Sequence, residues 1–100
     1  MLLGEYPKPT VVKLDEFKIG NSGRLLCYSL INESIIELIW YKNGVKMVNS
    51  ENAQLLDNNK IINFNKYENN NFGSYSCELK LNGSSNSDIR IMSNILVLEG

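Results

Sequence analysis

Cys27 and Cys77 are the only thiols in this chain of 100 residues, and they stand 50 positions apart. Two thiols can close one internal disulfide, stay buried and reduced, or supply part of a metal site. A metal or nucleophilic role needs partners, and the chain has no His and no third Cys. The absence of His also removes the commonest general base. Carboxylates occur as Asp15-Glu16 and as Glu33 with Glu37, without a base, nucleophile or ligand cluster beside them. They read as solvated surface charge. The seven glycines mark turns and form no phosphate-binding loop. Neither catalysis nor a cofactor is expected. Asn32-Glu33-Ser34 and Asn82-Gly83-Ser84 match the N-glycosylation sequon, which makes Asn32 and Asn82 candidate acceptors in surface loops. With 15 Asn in the chain, chance and turn chemistry account for such triplets as well.

The elements that must position these residues are short strands. One hundred residues fit one domain, 1–100, and 43% hydrophobic content suits a globular chain. A net charge of −1, with Lys and Arg scattered, argues against a nucleic-acid partner. The longest aliphatic run, Ile95-Leu96-Val97-Leu98, falls far short of the ~20 residues of a membrane span, so no direct membrane insertion is expected. Met1-Leu2-Leu3 lacks the regions of a signal peptide. Met1 reads as an added start, and the chain as a domain of a longer, secreted or membrane-anchored protein. Pro7 and Pro9 sit where an edge strand enters, with residues 1–8 as a poorly ordered lead-in. From Thr10 on, apolar runs alternate with Gly, Asn and Ser clusters, the spacing of an all-β sandwich. Strand A is expected over 10–19. Strand B carries Leu25 and Cys27 on one face. Strand C runs over about 36–42 with Leu38 and Trp40 inward. Asn43-Gly44 predicts a type I′ hairpin into strand C′ at 45–48. Strand F covers 74–81, and strand G about 89–98. Both parities of strand G carry apolar residues, a conflict that a bulge would resolve.

Trp40 follows Cys27 by 13 positions, and Tyr75 precedes Cys77 by two within Asn71-Phe72-Gly73-Ser74-Tyr75-Ser76-Cys77. In this order the residues resemble the pin of an immunoglobulin superfamily domain. Ile62, Phe64 and Tyr67 resemble that family's strand E and E–F corner. The resemblance runs from strand B to strand G. It implies an immunoglobulin-like β-sandwich of two antiparallel sheets. It also implies a Cys27–Cys77 disulfide with Trp40 packed on it, and a Tyr75 hydroxyl bonded to upstream backbone. About 22 residues separate the C–C′ hairpin from the E–F corner, too few for an additional C″ strand, which favours the I-set/C2 type over the variable type. The family usually has Asp where this chain has Asn71, paired with a basic residue near the start of strand D. Neither Arg24 nor Arg90 lies in that stretch, so this corner ion pair is expected to be missing.

With Leu38 and Trp40 inward, Ile39 and Tyr41 point outward on the C-F-G sheet, together with Ser76, Glu78 and Lys80. Apolar residues rimmed by charge are typical of binding patches. The expected protein-binding face is Ile39 and Tyr41 at the centre with Lys42, Glu78 and Lys80 at the rim. Leu26 and Tyr28 point outward on the other sheet and offer a second choice. What the resemblance implies for function is extracellular recognition or cell adhesion by a receptor glycoprotein. The partner would be a protein, the same or another cell-surface molecule, with homophilic contact through the C-F-G face giving a weak homodimer. The rival readings are an intracellular I-set spacer of a scaffold protein and a soluble ligand-binding decoy.

Overall fold

Period-two alternation of apolar residues, broken by Asn, Gly and Ser, folds as short strands in this computed structural model, which describes residues 6–31, 35–82 and 88–100. The strands are β1 (Thr10–Lys13), β2 (Gly23–Tyr28), β3 (Ile35–Lys42), β4 (Val45–Lys46), β5 (Ala53–Leu56), β6 (Ile61–Phe64), β7 (Gly73–Leu81), β8 (Ile89–Met92) and β9 (Leu96–Leu98). They build two antiparallel sheets. One has the order β1-β2-β6-β5; the other runs β4-β3-β7-β8, with β9 paired to the first residues of β7. In the family lettering these sheets are A-B-E-D and C′-C-F-G. Residues 47–52, between β4 and β5, form no strand, which leaves no C″ there.

The facing sides bury one cluster. Leu25 and Cys27 come from β2, Leu38 and Trp40 from β3, Ile62 and Phe64 from β6, and Tyr75, Cys77 and Leu79 from β7. Each such large side chain contributes about 1.5–3 kcal/mol by leaving water. Cys27 and Cys77 are disulfide-bonded, with Cα atoms 6.2 Å apart, which joins the two sheets through the centre of the cluster. Trp40 stands directly opposite Cys77 in the β3–β7 register. Its Nε1 donates to the Asn59 carbonyl at 2.6 Å. The Tyr75 hydroxyl donates to the Asn71 carbonyl at 2.6 Å, which closes the corner expected before β7. Burial pushes the Tyr75 phenol well above its ordinary range.

Strand A is shorter than the expected span of 10–19, ending at Lys13. The chain then leaves the sheet because Phe17 is drawn inward. Its ring meets Phe64 and Tyr67 edge-on, with centroids 5.8 and 5.1 Å away. Gly23 makes room for it: a Cβ there would lie 2.7 Å from the Phe17 ring. Of the lead-in, Tyr6–Lys8 are exposed, while Pro9 is already buried. Strand C′ is two residues rather than four. The turn before it is as expected, with φ of 51° at Asn43 and 79° at Gly44, both in the region a type I′ turn requires.

Strand G is divided by the expected bulge. Ile91 pairs with Leu79 and Leu96 with Tyr75, so five steps on one strand face four on the other. Ser93 fills the break. Its N–H donates to the Cys77 carbonyl at 2.8 Å, and its hydroxyl accepts the Cys77 N–H at 2.8 Å. The inward set thereby switches from Ile89 and Ile91 to Leu96 and Leu98, and both apolar parities of the segment are used.

Candidate protein-binding faces

Residues directly opposite in an antiparallel pair share a sheet face. The registers of β3, β4, β7 and β8 therefore give the outward rows of the C′-C-F-G sheet. They are Glu37, Lys80 and Arg90; then Ile39, Glu78 and Met92; then Lys46, Tyr41 and Ser76. The strands bring together Ile39, Tyr41, Glu78 and Lys80, as the sequence predicts. Glu78 is the hub. The Tyr41 hydroxyl donates to its Oε1 at 2.8 Å, and Arg90 donates to the same oxygen at 3.2 Å. The hydrogen bond to Glu78 raises the Tyr41 pKa above its ordinary value, with burial adding to it. Lys80 pairs with Asp88 at 3.2 Å, and Lys46 lies 4.0 Å from Glu37. Glu78 is a buried carboxylate held by two donors, so removing either donor costs more than a surface ion pair does.

Three of the expected face residues are placed differently: Glu78, expected at the rim, is only 7% exposed. Ile39 faces outward but is only 7% exposed, so it cannot be a central contact anchor. It stands opposite Glu78, whose carboxylate accepts from the Tyr41 hydroxyl. Lys42 lies on the other side of the sheet. It is opposite the inward Tyr75, in step with Leu38 and Trp40, and its Nζ bonds the Asn70 carbonyl. The rim role falls instead to Arg90 and to Met92, which is 43% exposed. Neither could be placed from the sequence, because the bulge decides which β8 residues face outward.

Of the two sequons, Asn32 lies outside the described residues. Asn82 is exposed at the end of β7, and the remainder of its triplet is outside the described residues. A cleft of about 740 Å³ opens beside Ile31, Ile35, Leu38 and the β5–β6 turn. Glu37 and Lys60 are the charged groups among its described lining residues. On the opposite sheet Tyr28 is exposed and Leu26 half-buried.

No family model and no curated protein matches the sequence at a significant level. Solved structures do match. The chain superposes on murine CEACAM1b with a TM-score of 0.74 at 23% identity, over 94% of this chain and 44% of that one. The fold is an immunoglobulin-like β-sandwich. Extracellular domains 3–5 of Drosophila OTK match with a TM-score of 0.64 at 24% identity, over 92% of this chain and 35% of that one. The Dscam1 Ig7 domain matches at 0.59 and 18% identity, over 87% and 96%. The chain spans less than half the length of the first and second of these structures.

Proposed function

We propose that this is a non-enzymatic, extracellular domain that recognises another protein through the outer face of β3, β7 and β8. The observation that carries this reading is the outward set Glu37, Tyr41, Lys80, Arg90 and Met92, with the buried Glu78 carboxylate holding Tyr41 and Arg90 in place. It combines one exposed thioether and a phenol with charges of both signs on a rigid sheet, the make-up of a polar, wet interface. Such a face favours electrostatic selection of a partner over raw affinity. The disulfide supports an oxidising compartment.

The test is binding of the oxidised, multimerised chain to a panel of ectodomains displayed on cells. A partner whose binding falls in Lys80→Glu and Met92→Glu, and weakens as salt rises, supports the reading. A panel with no binder, or a binder indifferent to both variants, overturns the face. The compartment is tested separately by thiol labelling of the protein from its natural source. Two labelled thiols without reduction would sink the extracellular assignment.

A further inference from the structure

The outer face of the other sheet is chemically unlike the face just described. Its registers place Val12 opposite Leu26, Leu26 opposite Ile61, and Ile61 opposite Leu56. One apolar row therefore crosses all four strands. Tyr28 extends it on one side and Leu14 on the other, and Tyr28 and Leu56 are 51% and 46% exposed. The neighbouring row is Arg24, Asn63 and Gln54. Arg24 is the one charged residue at an outward strand position of this sheet, and it is already neutralised by Asp15, which accepts from its guanidinium at 2.8 and 3.1 Å. The opposite sheet carries Glu37, Lys46, Glu78, Lys80 and Arg90 at equivalent positions.

We propose that this apolar row is a self-association surface, on which a second copy of this chain packs face to face about a two-fold axis. The occupant follows from symmetry and charge. The row is centred on the sheet, so an axis along the strands between β2 and β6 sets Val12 over Leu56 of the partner subunit. The same axis sets Leu26 over Ile61 of the partner subunit. Apolar meets apolar at every step of the row, and Arg24 meets an amide rather than a like charge. The size is also telling. Four strands at ~4.8 Å and three rows at ~6.8 Å give a face of roughly 400 Å² in projection. A standard interface takes about 800 Å² of accessible surface from each partner. The face therefore suits a weak, reversible dimer, and it leaves the charged sheet free for a different partner. This inference does not rest on the recognition face proposed above.

Sedimentation velocity of the oxidised chain from ~10 µM to ~1 mM should show a reversible monomer–dimer equilibrium. Leu56→Lys and Ile61→Glu should each weaken the dimer at least about tenfold, because a charge is then desolvated against apolar surface. Val97→Glu, at an exposed position of the other sheet, should leave it unchanged. Amide chemical shifts of the unmodified chain give a readout that needs no variant: on dilution they should move at Val12, Leu26, Leu56 and Ile61. A strict monomer at the highest concentration overturns the proposal. So does a dimer that survives both charged variants, a dimer lost in Val97→Glu, or dilution shifts confined to β7 and β8.

Discussion

At the corner before β7, one oxygen of the buried Asn71 side chain accepts from the Glu68 amide at 2.8 Å and from the Asn52 side chain at 3.1 Å. Asn52 lies just before β5, where the family pattern keeps its basic residue. An amide pair thus takes the place of the missing ion pair, and the corner is tied without charge. Asn71→Asp should cost about 1–3 kcal/mol, because the new charge is buried beside two neutral donors and no cation. Adding Asn52→Arg should recover most of it. Urea midpoints of the two variants check this; a single variant as stable as the parent would show that the corner tolerates an unpaired charge. The sequence showed the departure at Asn71 but could not name Asn52, because long-range partners across a corner leave no local pattern. The same limit explains Ile39. A period of two assigns its face correctly, whereas its burial depends on the neighbouring strands, where Glu78 stands opposite it.

Among the elements, turns with a strong local preference were legible and those with a distributed one were not. Asn43-Gly44 announces its hairpin, and the mixed parity of strand G announces its bulge. The β5–β6 turn is of the second kind. It holds Asp57, Asn58 and Asn59 in succession at φ of 53°, 55° and 68°, a left-handed run that Asn and Asp tolerate better than other residues with a Cβ. Some of the Asn abundance therefore has a structural use. This turn delivers the Asn59 carbonyl to Trp40. Asn59→Val should destabilise the domain by roughly 1–2 kcal/mol, since a β-branched residue is strained at positive φ. Asn59→Gly should cost less, and both are read from chemical unfolding followed by the fluorescence of the single Trp. Equal costs for the two would mean that backbone handedness is not what the turn requires.

At the scale of the whole molecule, the tyrosines set the alkaline limit. Tyr41, Tyr67 and Tyr75 all have phenols raised above their ordinary value, Tyr41 by its bond to Glu78 and the other two by burial. Below about pH 10, the ordinary tyrosine value, folded and unfolded chains are equally protonated and the full stability is present. Above it the unfolded chain loses protons that the folded chain keeps, so stability falls as pH rises towards the folded values. The urea midpoint should therefore drop between pH 9 and pH 11, and a flat profile there would contradict the buried phenols. On the acid side Asp15 runs the other way. Its hydrogen bond to Arg24 lowers its pKa, so its contribution is lost only as pH falls through that lowered value, and it is small because the pair is exposed. The Cys27–Cys77 bond has a further consequence when the domain is loaded from its two ends. Tension enters through β1 and leaves through β9, but the bond bypasses the 50 residue steps from one cysteine to the other. At ~3.4 Å per extended residue, it withholds about 170 Å of contour length, so an overstretched domain lengthens only by its outer segments until it is reduced.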